Sequence, residues 1–204
     1  MLIIGLTGSI GMGKSTAAAR FKALGIDVFD ADAEVHKLYE GPLAHDVERA
    51  FPGSTSDGKV DRDKLSAILL REPDRLSELE RIVHPRVRAN ERSFVAREHA
   101  KGAKMAVLEV PLLFEAGNDK VVDVIVVVSA HPDIQRKRVL ERRGMSEAKL
   151  AELLSRQLDD KEKRARADFV VDTSGSVEAC HVQIDDIVAE LSTREGRAYA
   201  RFWS

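Results

Sequence analysis

The chain of 204 residues predicts an α/β fold in which helices flank a parallel sheet of five strands. Three observations favour this class. Short apolar runs rich in β-branched residues recur along the chain, helix-patterned segments separate them, and a glycine-rich turn joins the first run to the first helix. Continuous apolar runs are typical of strands buried on both faces. Strands that alternate with helices predict right-handed crossovers, and therefore parallel neighbours.

The first apolar run, residues 2–6, leads into residues 8–15, which read Gly-Ser-Ile-Gly-Met-Gly-Lys-Ser. This string fits the phosphate-binding pattern G-x-x-x-x-G-K-S, and a helix-patterned segment follows it with apolar Ala17, Phe21 and Leu24. The order of strand, glycine-rich turn and helix is the context in which the pattern binds phosphate. The sequence therefore predicts a P-loop NTPase-type fold that binds a nucleoside triphosphate. The alternative is an ordinary glycine-rich turn with a solvated lysine.

The residue types in this turn suit a phosphate ligand. Glycines let backbone N–H groups converge on phosphate oxygens without a Cβ in the way, and the following helix points its positive end at the same anion. A lysine can reach the β and γ phosphates, and a serine hydroxyl can ligate Mg²⁺. The predicted lysine is Lys14, and the predicted magnesium ligand is Ser15. The predicted ATP-binding residues of the turn are Gly8, Gly11, Met12, Gly13, Lys14, Ser15 and Thr16.

Four further strands are predicted after the turn, and two stretches interrupt the alternation. The predicted strands are residues 26–29, 105–110, 123–128 and 169–171. Residues 43–101 show helical patterns and no convincing strand, which predicts a helical insertion that binds the second substrate. Residues 131–167 are rich in arginine and lysine and predict a helical lid. The chain is thus expected to be a single domain, residues 1–204, whose nucleotide-binding core comprises residues 1–42, 102–130 and 168–204.

Composition excludes several classes of protein. A hydrophobic fraction of 44% supports a folded core, and a formal net charge of −2 gives no general attraction to nucleic acid or to an anionic membrane. The single cysteine, Cys180, excludes an internal disulfide and fits a reducing compartment. No apolar stretch approaches the roughly 20 residues that span a bilayer. We therefore expect a cytoplasmic protein with no nucleic-acid or membrane partner.

The phosphate pattern alone does not choose among switch GTPases, ATPases and small-molecule kinases. Guanine-binding switches need an N-K-x-D element, and the sequence contains none. A D-x-x-G string occurs at residues 172–175, after the last predicted strand, which is too late to sense the γ-phosphate. One nucleotide loop, a helical insertion and an arginine-rich lid favour a kinase that acts on a small acceptor.

Further motifs make the sequence resemble the dephospho-CoA kinase family over essentially its whole length. They are T-G-S-I-G-M-G-K-S-T at 7–16, D-A-D at 30–32, V-H-P at 83–85, V-P-L-L-F-E at 110–115, Gln135, Arg138, the pair Arg156 and Gln157, and A-D-F-V-V-D at 167–172. Ser9 and Met12 depart from the family's usual G-G-I-G-S-G-K-S-T at two variable points. The resemblance implies that ATP phosphorylates the 3′-hydroxyl of the dephospho-CoA ribose, the last step of coenzyme A synthesis.

The family pattern places the catalytic base at Asp32, where it would accept the proton of the ribose hydroxyl. Asp30 is then a structural residue or a water-linked magnesium ligand, and one aspartate of this motif is a good helix N-cap. The resemblance also implies acceptor contacts by His84 and Arg86, although His84-Pro85 could simply mark a junction of two helices. It places the acceptor beside Leu112, Leu113 and Phe114, for which burial in the core is the alternative.

Arg138 and Arg142 are four residues apart, which predicts that they lie on one helical face and close over the triphosphate. Together with Lys14 and Asp32 they are the predicted catalytic residues, and Gly144 is a candidate lid hinge. Arg142 also counts among the predicted ATP contacts, as do Ser174 and Gly175, against whose backbone the adenine would lie. The expected substrates are ATP with Mg²⁺ and dephospho-CoA, bound by a monomer or small homo-oligomer. A kinase of a nucleoside monophosphate or another small molecule, or a nucleotide-dependent switch, stays open as an alternative.

Overall fold

The structure is a computed structural model that describes residues 1–204. It contains seven strands and nine α-helices, with short 3-10 turns between some of them. The strands are β1 (Leu2–Thr7), β2 (Val28–Asp30), β3 (Thr55–Ser56), β4 (Lys59–Val60), β5 (Met105–Glu109), β6 (Val124–Ser129) and β7 (Phe169–Asp172). The helices are α1 (Lys14–Ala23), α2 (Ala31–Tyr39), α3 (Ala44–Ala50), α4 (Arg62–Arg71), α5 (Leu76–Ala100), α6 (Pro132–Leu140), α7 (Glu147–Ser155), α8 (Asp160–Ala165) and α9 (Val177–Leu191).

The five predicted strands form one sheet in the order β2-β5-β1-β6-β7. The central strand β1 pairs in parallel with β5 and β6, and β6 pairs in parallel with β7. All six residues of β1 are buried, as its unbroken apolar run predicts. In a sheet of this kind ligands gather outside the carboxyl ends of the strands, and the phosphate pattern begins there, directly after Thr7.

The chain divides into two compact units, each with its own core. The sheet unit comprises Met1–Phe29 and Val95–Ser204, and the helical unit comprises Asp30–Phe94. In the sheet unit, Leu6, Val126 and Ile184 belong to one buried cluster that spans the strands and α9. Cys180 lies in the same cluster and is 2% exposed, as expected for a small core residue.

The helical unit buries the apolar faces that the sequence indicates. Leu65 and Leu79 from the two predicted stripes pack with Val47 and Phe51 of the preceding segment. This unit begins at Asp30 and ends at Phe94, whereas the predicted insertion spans residues 43–101. The boundary moves towards the N-terminus because α2 contributes Leu38 to the helical cluster. The second half of α5 belongs to the sheet unit.

The expectation of no strand in residues 43–101 is wrong in one place. Strands β3 and β4 form a short antiparallel hairpin in which Thr55 faces Val60. The turn between them is Asp57-Gly58, and both residues have positive φ, 52° and 75°. Asp-Gly is a strong hairpin signal, because a tight primed turn needs positive φ at both central positions. Two-residue strands are too short to produce a hydrophobic period, so the turn was the only local signal.

The alternative that His84-Pro85 marks a junction of two helices is wrong, because α5 is one helix of 25 residues with Pro85 inside it. A proline in a helix interior removes one backbone hydrogen bond and costs about 3 kcal/mol in isolation. Here the apolar stripe continues through the proline, with Leu79 and Val83 before it and Val87 after it packed in the helical cluster. Burial of that stripe offsets the local cost.

The C-terminal tail packs on the sheet unit. Asp123 accepts hydrogen bonds from the backbone N–H groups of Ile3, Arg197 and Ala198 at 2.8, 2.6 and 2.8 Å. Trp203 donates its indole N–H to the Val121 carbonyl at 2.8 Å, and its side chain is buried. The tail is therefore hydrogen-bonded to the residues that immediately precede β6. No helix has the length and apolar character needed to cross a bilayer.

Candidate active site

The phosphate loop (residues 8–15) connects the buried strand β1 to α1, which starts at Lys14. Two glycines are required by close packing. A Cβ at Gly8 would lie 2.5 Å from the Val128 carbonyl oxygen, and a Cβ at Gly11 would lie 2.5 Å from Val139 Cγ2. Gly11 also has a φ of +78°, which L side chains rarely adopt. The loop is therefore wedged between β6 and α6, and no other residue fits at these two positions without a shift.

Lys14 lies folded back over this loop, with Nζ donating to the Gly8 carbonyl at 2.7 Å. The side chain therefore arches across the concave side of the loop, as expected for a lysine that meets the β and γ phosphates. Ser15 follows in the first turn of α1 and is exposed. The positive end of α1 faces the same region, which favours an anion there.

Met12, a predicted ATP contact, has a buried side chain. Its side chain is 2% exposed and belongs to the core of the sheet unit, where Sδ accepts a hydrogen bond from the Ala130 N–H at 3.0 Å. Its carbonyl accepts a hydrogen bond from Thr173 Oγ1 at 2.8 Å. Met12 therefore supports the loop from beneath, and any contact with a nucleotide falls to its backbone.

Arg138 and Arg142 do not share a helical face, because α6 ends at Leu140 and Arg142 lies beyond it. The Arg138 guanidinium donates to Oγ1 and the carbonyl of Thr173, at 3.2 and 2.6 Å. Arg142 is exposed in the turn that precedes Gly144, whose φ is +77°. The prediction of a paired arginine clamp is therefore wrong in its geometry. One arginine is tied to the turn after β7, and the other sits at the tip of the lid segment (residues 131–167).

The turn after β7 is tightly hydrogen-bonded. Ser174 Oγ accepts from the His131 N–H at 2.9 Å, and the Ser174 N–H donates to Asp172 Oδ1 at 2.8 Å. The hydrogen bonds from Ser174 hold the pKa of the Asp172 carboxyl below its usual value. Ser176 caps α9 by accepting from the Ala179 N–H, so this turn connects β7 to a capped helix. Ser174 and Gly175 are thus held in place beside the start of α6.

A cavity of about 610 Å³ adjoins the phosphate loop within the sheet unit. Its lining includes Ser9 and Met12 of the loop, Gln135 and Gln157 of the lid segment, and Ser174 after β7. This volume falls in the range of small-molecule sites.

The segment after β5 divides its apolar residues between core and surface. Leu113 is fully buried and Phe114 is 6% exposed, whereas Leu112 is 41% exposed. Leu113 packs against β1, where a Cβ at Gly5 would lie 3.0 Å from its Cδ2. Burial in the core, the alternative for these residues, is therefore confirmed for Leu113 and Phe114, and Leu112 is the one whose side chain is exposed.

In the helical unit, the two aspartates of the D-A-D motif have different environments. Asp30 is the N-cap of α2 and accepts a hydrogen bond from the Ala33 N–H at 2.9 Å, which confirms the capping alternative for this residue. Asp32 lies in the first turn of α2 and is exposed. His84 and Arg86 are exposed on α5. The helical unit thus presents its predicted acceptor-side residues at the surface.

Sequence reasoning assigned no role to several residues that hold the loop. Both polar groups of the Ile10 backbone are bound by glutamine side chains: Gln135 Nε2 donates to its carbonyl at 2.8 Å, and Gln157 Oε1 accepts from its N–H at 3.2 Å. Thr173 is 4% exposed and bonds to both Met12 and Arg138. Gln135 and Gln157 belong to the motifs of the family resemblance, but polar residues in a charge-rich segment carry no periodic signal that would assign them this contact.

The residues present fit a magnesium ion that is carried mainly by a nucleotide. No group of three His, Cys, Asp or Glu side chains is placed to hold a metal ion. Mg²⁺ is commonly bound by substrate phosphates, water and only one or two protein oxygens. An exposed serine hydroxyl at the start of α1 is a suitable single ligand.

The sequence matches known proteins over nearly its whole length. A family profile described as dephospho-CoA kinase matches residues 2–179. A dephospho-CoA kinase of Bradyrhizobium diazoefficiens is 54% identical over 191 residues, which are 94% of this chain and 96% of that protein. A dephospho-CoA kinase of Rhizobium meliloti is likewise 54% identical over 191 residues, covering 94% of this chain and 98% of the relative.

Solved structures agree with this match. The dephospho-CoA kinase of Campylobacter jejuni superposes with a TM-score of 0.70 at 26% identity, over 93% of this chain and 96% of that one. The protein TT1252 of Thermus thermophilus superposes with a TM-score of 0.81 at 35% identity, over 93% and 97% of the two chains. A shikimate kinase of Acinetobacter baumannii, at 15% identity and a TM-score of 0.52 over 95% of each chain, shares the fold alone. The family profile matches residues 2–179, and this match includes the phosphate loop with its lysine. The chain therefore belongs to the dephospho-CoA kinase family.

Proposed function

We propose that this chain transfers the γ-phosphoryl group of ATP to the 3′-hydroxyl of the dephospho-CoA ribose, giving coenzyme A and ADP. The observation that carries the proposal is the family match over residues 2–179, which includes both the phosphate loop and the acceptor-side motifs. The family match identifies the acceptor, since a phosphate loop by itself serves many kinases.

On the nucleotide side, the phosphate loop binds the triphosphate through its backbone and through Lys14. Phosphoryl transfer depends mainly on positioning and on neutralisation of charge. Arg142 is exposed at the tip of the lid segment and is the arginine we assign to the transferring phosphoryl group. Arg138 is assigned to shaping the nucleotide site through Thr173, beside Ser174 and Gly175.

Mg²⁺, when bound with the nucleotide, neutralises charge on the β and γ phosphates, and Ser15 is its proposed protein ligand. Asp32 is the proposed general base, which accepts the proton of the 3′-hydroxyl as the new P–O bond forms. The hydroxyl oxygen attacks phosphorus, the bond to the β-phosphate oxygen breaks, and ADP leaves with that electron pair. Asp32 is exposed in the first turn of α2, whereas the carboxylate of Asp30 caps that helix.

On the acceptor side, His84, Arg86 and Leu112 are the proposed contacts, since all three are exposed. Two basic groups suit the phosphates of a coenzyme A precursor, and a leucine suits its apolar arm. We further propose that the protein acts in the cytoplasm as a monomer or small homo-oligomer, without a nucleic-acid or membrane partner.

The deciding experiment is a coupled assay of ADP release with Mg-ATP and a panel of acceptors. The panel contains dephospho-CoA, AMP, CMP, gluconate and shikimate, with a reaction lacking acceptor as the baseline. We expect rapid turnover only with dephospho-CoA, with coenzyme A identified by mass spectrometry. Turnover with a different acceptor would show that the proposed substrate is wrong and that the protein is a kinase of that acceptor. Nucleotide binding without any stimulation by an acceptor would favour a nucleotide-dependent switch.

A further inference from the structure

Two side-chain hydrogen bonds from the lid segment converge on one residue of the phosphate loop, Ile10. Its carbonyl is held by Gln135, which is 7% exposed in α6, and its N–H is held by Gln157, which follows α7. The two ends of the lid segment thus meet at the same residue of the loop. Any displacement of either end acts directly on the peptide groups on both sides of Ile10.

Because the peptide bond is planar, these two contacts fix the orientation of backbone N–H groups in the phosphate loop. The Ile10 carbonyl shares a plane with the Gly11 N–H and points the opposite way, so fixing the carbonyl fixes the direction of that N–H. The Ile10 N–H shares a plane with the Ser9 carbonyl, which accepts a hydrogen bond from the Met12 N–H at 3.2 Å. If Gln157 released the Ile10 N–H, this peptide could rotate and present a carbonyl oxygen to an incoming phosphate.

The position of Gln157 is fixed through its neighbour Leu158, which is hydrogen-bonded to Glu115 in the loop after β5. We call the contact of Glu115 with Leu158 and Lys163 the anchor. The next residue, Leu158, donates its backbone N–H to Glu115 Oε1 at 2.7 Å. The same carboxylate oxygen lies 2.9 Å from Lys163 Nζ in α8. The Lys163 side chain is fully buried, and this ion pair is its one charged partner.

The contacts of Glu115 favour the ionised form of its carboxyl. Burial acts to raise the pKa of Glu115, but the Leu158 N–H and the Lys163 ammonium outweigh it, so the pKa lies below its ordinary value. The Lys163 side chain is fully buried and that of Glu115 is 19% exposed; a buried charge is expensive to desolvate, and well-packed apolar residues often serve stability equally well. The geometry of this pair offers a reason for it beyond stability, because it holds Leu158 and hence the position of Gln157.

A second contact fixes the same segment independently. Arg166, after α8, donates to Asp119 at 2.8 Å, and its guanidinium lies 4.4 Å from the centre of the Phe114 ring. Ser129 at the end of β6 donates to Asp160 Oδ2 at 2.7 Å. Loss of the Glu115–Lys163 pair alone would therefore leave α8 docked while freeing the residues just before it.

We propose that Glu115, paired with the buried Lys163, is a positioning residue that holds Gln157 against Ile10 and so keeps the phosphate loop in its phosphate-binding form. This inference rests on the proposed function only in that ATP is the ligand of the loop. It predicts that breaking the chain of contacts from Glu115 through Leu158 to Gln157 weakens nucleotide binding, whereas removing the charges alone does not.

The test compares two double variants that both lack the charges of the Glu115–Lys163 pair. Lys163→Met with Glu115→Gln keeps an oxygen that can accept the Leu158 N–H, and we expect its KM for ATP within about twofold of the parent chain. Lys163→Met with Glu115→Met removes that acceptor, and we expect its KM for ATP to rise about tenfold, the scale of one lost hydrogen bond, with kcat changed less than about threefold. Single Lys163→Met is expected to unfold more readily than either, because it leaves one charge unpaired.

Gln157→Met completes the comparison. It should raise the KM for ATP about tenfold by itself, and adding it to the pair of methionine substitutions should produce no further rise, since both act on one contact. Glu147→Gln breaks an exposed ion pair with Arg136 in the same lid segment and is the matched control, expected to leave the KM for ATP unchanged.

ATP affinity measured by calorimetry without any acceptor gives the same comparison independently of the phosphorylated substrate. Equal KM for ATP in the two double variants would overturn the proposal, and so would multiplicative effects of Gln157→Met and the methionine pair. A KM that simply follows the midpoint of thermal unfolding across the set would show that the anchor serves stability alone. Failure of the acceptor assay with intact ATP binding would count against the proposed function and leave this inference standing.

Discussion

The candidate residues of the sheet unit and those of the helical unit are of opposite kinds. In the sheet unit the phosphate loop is made of backbone groups, and buried partners such as Val139 and Thr173 determine its shape. In the helical unit the candidate residues Asp32, His84 and Arg86 are exposed side chains on helices. Other residues of the same helices form the buried cluster. A backbone site is damaged by changes in packing, and a side-chain site is damaged by changes of single functional groups. Each part therefore fails under a different kind of substitution.

The largest expected effect is on the side-chain site. Asp32→Asn keeps shape and removes the proton acceptor, so turnover should fall at least about a hundredfold while the KM for ATP stays within about threefold. Steady-state kinetics with ATP and dephospho-CoA measures both values. Asp63→Asn is the matched control, because Asp63 is also an exposed aspartate in the first turn of a helix in the same unit. Near-normal turnover of Asp32→Asn would contradict the assignment of the base.

The backbone site should respond to a single methyl group. Gly11→Ala forces a Cβ to within 2.5 Å of Val139 at a φ of +78°, and we expect the free energy of unfolding to fall by roughly 2–4 kcal/mol. ATP affinity should fall at least about tenfold. Gly25→Ala is the control, since Gly25 has the same φ of +78° but nothing within 4 Å of the added Cβ. It carries only the backbone strain, about 1 kcal/mol.

Denaturant unfolding measures the loss of stability, and calorimetric titration with ATP measures the loss of nucleotide affinity. If both glycine variants lose equal stability, close packing against Val139 is not what shapes the loop, and the contrast between the two units would be lost on the nucleotide side.

The smallest effect concerns stability and pH in the helical unit. Burial raises the pKa of Glu91 from 4.5 to about 7, so the folded protein holds a proton there that the unfolded chain has already released. The contribution of Glu91 to stability is therefore complete below pH 4.5 and is lost as the pH rises through 7. Glu91→Gln should remove this loss and raise the free energy of unfolding at pH 8 by about 1–3 kcal/mol, with a smaller gain at pH 5.

Urea unfolding at the two pH values checks this prediction. Glu80→Gln, at an exposed position of the same helix, should change stability little at either pH. A gain for Glu91→Gln that is the same at pH 5 and pH 8 would show that the carboxyl does not titrate with folding.

The sequence determined the sheet, the phosphate loop and the family. Residues 2–15 carry strand, turn and helix in one continuous string, and all five predicted strands are present in one sheet. These features are local, because a buried parallel strand needs only an apolar run and a phosphate loop needs only glycines at set spacings. The D-A-D motif was equally readable, and the alternative that one aspartate caps α2 was confirmed for Asp30.

Tertiary structure decided which side chains face the core and which hold the loop. Leu113 and Phe114 are buried while Leu112 is exposed, although all three are apolar neighbours on one short segment. Arg138 turns to Thr173, and α6 ends before Arg142, so the regular spacing of the two arginines did not place them on one face. Pro85 stays inside α5 because the apolar stripe on both sides of it is buried. Glu115 meets Leu158 and Lys163 only in the folded chain, since contacts between residues more than 40 positions apart leave no periodic trace in one sequence.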